Sequence, residues 1–128
     1  MRPISCEATI DLPKVVFDKE KGEFLIEGLS MCEDAFHFYE PIVKWIEQYG
    51  LDPNPTTVVK FKITYFNTAS SKMILDIMAR FEWIYRMGHD VSIYWHYHPE
   101  DEDMEEAGEF YASRLNVPVH KIEDDTME

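Results

Sequence analysis

The chain has 128 residues, 45% of them apolar and 14% aromatic, enough for one hydrophobic core and too many for global disorder. Lys and Arg number 12 against 25 Asp and Glu, a formal charge of −13, which argues against binding nucleic-acid phosphates or anionic lipid. Two cysteines, Cys6 and Cys32, are too few for a disulfide scaffold, and no CxxC pair is present to hold zinc.

The elements are read in chain order. Val15–Phe17 and Glu23–Ile26 flank Asp18-Lys-Glu-Lys-Gly22, a β-hairpin with Gly22 in its turn. Ala35, Phe38, Tyr39, Ile42, Trp45, Ile46 and Tyr49 recur at three- and four-residue spacing, one apolar face of a helix that Gly50 stops. Pro41 either starts the regular helix or kinks a longer one begun near Asp34. Pro53 and Pro55 mark a turn. Thr57–Tyr65 alternates, with Val59, Phe61, Ile63 and Tyr65 on one side of a strand. Ser71–Met87 returns to a helical period with Met73, Ile77, Phe81 and Ile84 in one stripe. Lys72, Asp76 and Arg80 lie at i,i+4 steps that permit two ion pairs. Gly88 ends that helix. Val91–Tyr97 alternates again, and Asp101–Leu115 reads as an acidic helix with Phe110, Tyr111 and Leu115 on its apolar side. Val117–Ile122 suits a short edge strand.

The order ββαβαβα predicts an α/β fold in a single domain over 1–128, a mixed β-sheet with helices packed on it. The core is expected over about 10–122. Residues 123–128 form an acidic tail that is expected to fray. Most of the charge excess is C-terminal: residues 100–128 hold 11 acidic and 2 basic side chains. No apolar run is long enough to span a membrane, and the first twenty residues hold no signal-peptide stretch. A cytoplasmic setting, with no membrane insertion, is the expectation.

The common catalytic motifs are absent: no GxGxxG, no P-loop, no GxSxG and no HExxH. His96 and His98 share one side of a strand near Glu100, Asp101 and Asp103, but no third metal ligand stands at a usual spacing, so no metal site is assigned. Glu106 stands where an EF-hand loop needs glycine, so the acidic run is read as a solvated helix start. The carboxylates of Glu23, Glu27, Glu40, Glu47, Asp76 and Glu82 are read as scattered on wet faces.

The informative segment is Tyr65-Phe-Asn-Thr-Ala-Ser-Ser-Lys72, which joins a strand to a helix. Asn67, Thr68 or Ser70 is expected to cap the helix. Capping needs only one of them. A hydroxyl at a helix start also lies where free backbone N–H groups and the dipole stabilise a phosphate. That suits a phosphorylation switch as well as an anion site.

With Ile74-Leu-Asp-Ile-Met78, Val91-Ser-Ile-Tyr-Trp-His-Tyr97 and Asp103-Met-Glu-Glu-Ala-Gly-Glu109, this segment resembles the SiaC family of bacterial regulatory phosphoproteins. Phe24-Leu-Ile-Glu-Gly-Leu-Ser30 and Phe38-Tyr-Glu-Pro41 with Trp45 extend the resemblance over roughly residues 10–115. The resemblance implies a STAS-like fold like that of anti-sigma-factor antagonists, with no enzymatic activity and no cofactor. It implies a partner-switching protein, phosphorylated by a cognate Ser/Thr kinase and dephosphorylated by a PP2C-type phosphatase. The unphosphorylated form would bind and activate a diguanylate cyclase and so act on cyclic-di-GMP and biofilm formation. Thr68 matches the family's acceptor threonine, and Ala69 stands where relatives often carry another serine. Asn67, Ser70, Ser71 and Lys72 are then the loop and partner-binding residues. Two other readings stand beside it: a small metal- or ligand-dependent enzyme using His96 and His98, and a purely structural interaction domain.

Overall fold

Strand alternation decides the architecture. In the structure, a computed structural model that describes residues 1–128, nine elements follow in order. They are β1 (Ile4–Cys6), β2 (Lys14–Asp18), β3 (Glu23–Ser30), α1 (Ala35–Tyr49), β4 (Thr56–Phe66), α2 (Thr68–Arg86), β5 (Asp90–Tyr97), α3 (Glu102–Arg114) and β6 (Val119–Glu123). The strands form one six-stranded sheet in chain order. β1 to β3 pair antiparallel and β3 to β6 pair parallel. The expected mixed α/β sheet is therefore present, with the expected C-terminal edge strand as β6 and one strand, β1, added at the other end. β1 escapes sequence reading because three residues are too few to show an alternation.

Val59, Phe61, Ile63, Ile93 and Trp95 are fully buried on adjacent strands, as the two alternating patterns predict. They share their side of the sheet with Phe17 and Phe24. Trp45 of α1 and Phe81 of α2 pack on Phe17 and Phe24, and Tyr111 of α3 packs on Trp95. All three helices thus cover one face. The opposite face carries none.

Three details differ from the expectation, and one open alternative is decided. Ile63 pairs with Gly28 and Tyr65 with Leu29, so Thr64 is an extra residue in β4. A bulge of that kind shifts the alternation by one. Tyr65 is consequently exposed, and Phe66 turns inward against Trp95 and Tyr111. α1 is the longer of the two helices considered: Asp34 caps it through the backbone N–H of His37 at 3.0 Å, and Pro41 lies inside it on the solvent side. Arg80 does pair with Asp76, but its other partner is Glu47 of α1, and Lys72 makes no ion pair. In α3 the buried residues are Met104, Gly108 and Tyr111, while Phe110 is exposed. Gly108 allows that packing, because a Cβ there would lie 2.6 Å from Cδ1 of Trp95.

The C-terminal tail is anchored rather than frayed at its start. Glu123 ends β6, the backbone N–H of Asp124 donates to the Tyr97 carbonyl at 2.8 Å, and the Asp124 carboxylate meets Nδ1 of His96 at 3.0 Å. Glu82, read as a solvated charge, instead accepts hydrogen bonds from the backbone N–H groups of Asn116 and Val117 and so fixes the turn into β6.

Candidate functional site

The strand–helix junction at Asn67 lies at the carboxyl ends of the parallel strands, where α/β sheets generally present their ligands and partners. Asn67 holds the junction in three directions. Its backbone N–H donates to the Ser30 carbonyl at 3.1 Å, extending the β3–β4 pairing by one bond. Its Oδ1 accepts from the backbone N–H of Ser70 at 2.9 Å, the N-cap bond. Its Nδ2 donates to the Cys32 carbonyl at 2.9 Å. Of the three candidate caps it is Asn67 that serves, in the extended backbone conformation a cap requires.

The helix therefore begins at Thr68, three residues earlier than the apolar stripe suggests. Helix starts of this kind are hidden from periodicity, since the first turn of α2 carries hydroxyls rather than core residues. The Thr68 side chain is exposed and its Oγ1 makes no hydrogen bond within the chain. The two serine hydroxyls of the same turn are committed. Ser71 Oγ donates to the Thr68 carbonyl at 2.7 Å. Ser70 is fully buried and belongs to the interior, not to a loop open to a partner.

Behind Ser70 runs a buried chain of hydroxyls that the sequence did not reveal. Ser30 Oγ donates to Ser70 Oγ at 2.9 Å and lies 2.6 Å from the Tyr39 hydroxyl. With the Ser30 proton so used, Tyr39 donates in turn. Burial pushes the Tyr39 phenol well above its ordinary pKa, so it keeps its proton. This chain ties α1, the end of β3 and the first turn of α2 together. A second clamp comes from α3, where the Tyr111 hydroxyl donates to the Ser71 carbonyl at 3.3 Å.

The electrostatics at Thr68 favour an added anion. The first turn of α2 has no acidic side chain, and the backbone N–H groups of Thr68 and Ala69 have no partner in the chain. Lys72 is exposed one turn on. It shares with Phe66, Ser71, Leu75, Phe110 and Tyr111 a cleft of about 350 Å³ between α2 and α3. Around the same end of the sheet Leu29, Met31, Phe36 and Tyr65 are exposed. An apolar rim beside a free hydroxyl is the composition of a protein-binding surface.

The chain matches the family model described as "SiaC family regulatory phosphoprotein" over residues 6–124. It belongs to the SiaC family of regulatory phosphoproteins. An uncharacterized protein of Pseudomonas aeruginosa is 25% identical over 118 residues, 92% of this chain and 94% of that protein. Among solved structures, apo-SiaC from Pseudomonas aeruginosa is 23% identical and covers 95% of this chain and 99% of its own, with a TM-score of 0.87. A second, of the diguanylate cyclase SiaD in complex with its activator SiaC from the same organism, is 23% identical, with coverage of 94% and 99% and a TM-score of 0.88. These likenesses establish the shared SiaC fold.

His96 and His98 do not act together. His96 binds Asp124, whereas Nδ1 of His98 accepts from the backbone N–H of Glu100 at 3.1 Å in the turn before α3. No three His, Cys, Asp or Glu side chains converge. Asp101 caps α3 through the Met104 backbone N–H at 3.1 Å, and Glu102, Asp103 and Glu105 lie in its first turn against the positive end of the dipole. No helix is long and apolar enough to cross a membrane.

Proposed function

We propose that this chain is a non-enzymatic partner-switching regulator of the cytoplasm, controlled by phosphorylation of Thr68, whose unphosphorylated form binds and activates a diguanylate cyclase. The observation that carries the reading is the free, exposed Thr68 hydroxyl at the first position of α2, the one aliphatic hydroxyl of the first turn that no hydrogen bond engages. A kinase reaches it without unfolding anything. The phosphoryl group brings a charge of about −1.5 to −2 and strong acceptor oxygens to a helix N-terminus, where the fold tolerates it. The cost falls on the partner. A surface built for a neutral threonine beside Tyr65 and Phe110 must desolvate the phosphate or exclude it.

The SiaD–SiaC complex of Pseudomonas aeruginosa supports the choice of a diguanylate cyclase as the output. A cognate Ser/Thr kinase and a PP2C-type phosphatase complete the cycle. In this reading Asn67 and Ser70 hold the acceptor in place from inside, while Ser71 and Lys72 border the partner surface. Intact-mass analysis of the protein from its native cells is the test of modification. A species heavier by one phosphate, mapped to Thr68 and removed by a PP2C-type phosphatase, is expected. Phosphate mapped elsewhere, or none under any growth condition, contradicts it.

A further inference from the structure

The face of the sheet that carries no helix is the largest feature the Thr68 switch does not use. Parallel strands occur almost only in sheets covered on both sides. Here β3 to β6 are parallel and are covered on one. Across the uncovered side one register row reads Val16, Leu25, Lys60, Tyr94 and His120. The next holds Glu27 and Lys62, with His96 and Ile122 paired beyond them. Lys60 and Lys62 make no ion pair, although the chain offers 25 carboxylates. Together with Lys21 from the hairpin turn, and with Glu23 as the one carboxylate beside them, they line a groove of about 500 Å³ floored by Leu25 and Val58. A cluster of unpaired lysines is against the trend of a molecule of charge −13.

This face already receives one acidic segment, the chain's own tail. Asp124 reaches back over the strand ends to His96, and its carboxyl is held low first by hydrogen bonding from Thr126, then by His96, with the charge of Lys62 adding least. Met127 and Glu128 lie beside Glu27, Lys62 and Thr64. The tail occupies the side toward the carboxyl ends of the strands. The groove of Lys21, Lys60 and Leu25 stays open.

We propose that the helix-free face is a second docking surface, for a short acidic segment of a partner protein. Its carboxylates pair with Lys60 and Lys62, and its apolar side chains lie on Leu25, Val58 and Tyr94. A long polyanion is disfavoured, because the −13 charge of the whole molecule repels it. A short segment meets chiefly the local lysines, since charges beyond roughly 8 Å are screened at physiological salt.

The test is a titration of the isotope-labelled full chain by nuclear magnetic resonance. The probe is an acetylated ten-residue peptide of Glu and Asp with two Leu and one Phe. Saturable shifts are expected at the amides of Leu25, Val58, Lys60 and Tyr94. Joint Lys60→Glu and Lys62→Glu replacement should weaken binding by about tenfold or more, while Lys44→Glu on α1 leaves it unchanged. Lys60→Gln with Lys62→Gln serves as the gentler pair should charge reversal disturb folding. The proposal is overturned if the probe leaves these amides unmoved or if the charge-reversed chain binds equally. It is also overturned if the Gln/Asn version of the peptide binds as well. Tighter binding of a single-stranded oligonucleotide or of phosphatidylglycerol vesicles at the same residues overturns it too.

Discussion

Ser30 donates its hydroxyl proton to Ser70 across 2.9 Å, joining the end of β3 to the first turn of α2 out of contact with solvent. Thr68 stands two residues before Ser70, on the outside of the same turn. The inner hydroxyl fixes the backbone that presents the outer one. This separation leaves the surface hydroxyl outside the hydrogen bonds of the core.

Removing members of this chain should cost stability and not modification. Ser70→Ala leaves Ser30 without its acceptor, and Tyr39→Phe removes a buried donor. Each is expected to lower unfolding free energy by about 1–3 kcal/mol, because a buried polar group is left unsatisfied. Their combination should fall short of the sum, as Ser30 links them. Urea denaturation of the two single variants and the double variant measures this.

Asn67→Ala removes the cap and the bond to the Cys32 carbonyl together. A loss of about 1–2 kcal/mol is expected. Asn67→Asp keeps an acceptor for Ser70 and loses only the donor to Cys32, so it should be the milder change. Hydrogen exchange at the amide of Ser70 should quicken in the alanine variant and much less in the aspartate variant.

Gly108→Ala inverts the usual rule. Alanine in a helix interior normally stabilises by about 1 kcal/mol relative to glycine. Here its Cβ would press on the Trp95 ring, whose Nε1 also donates to the Met104 carbonyl at 2.8 Å. Net destabilisation of about 1–3 kcal/mol is expected. Tryptophan fluorescence through a denaturant titration reads both the shift in midpoint and the altered ring environment.

The Asp124 anchor has a defined pH window. Hydrogen bonding from Thr126, with a contribution from His96, holds the Asp124 carboxyl down from 3.8 to about 2. A carboxyl depressed in the folded chain adds stability above its unfolded value and loses that contribution as pH falls through the folded one. The tail should therefore stay docked at neutral pH and loosen as pH drops from about 4 toward 2. Amide exchange at Asp124 followed over that range should show it, and Asp124→Asn should remove the dependence.

Much of this architecture was legible in the residues. Val59, Phe61 and Ile63, then Ile93 and Trp95, alternate so regularly that one buried sheet face follows from the pattern. The alternation misleads only at Tyr65, because the bulge at Thr64 depends on pairing with β3, which local sequence does not encode. The cluster Asn67–Lys72 announces a polar helix start, while the choice of Thr68 within it comes from the resemblance to the SiaC family. The inward turn of Ser70 does not, since its partners Ser30 and Tyr39 lie far off in the chain and meet it only in the folded state. The helix-free face stayed hidden for a similar reason: that α1, α2 and α3 all lie on one side is a property of the strand order.

The most direct measurement is the affinity of the cognate diguanylate cyclase for the unmodified and the Thr68-phosphorylated chain, by calorimetry, with circular dichroism to verify folding. Thr68→Ala should bind like the unmodified chain and resist the kinase. Thr68→Asp should bind more weakly, copying the phosphate in part. Phosphorylation is expected to weaken binding by tenfold or more, about 1.4 kcal/mol or above, with the fold unchanged. Equal affinities for the two forms would contradict control through Thr68.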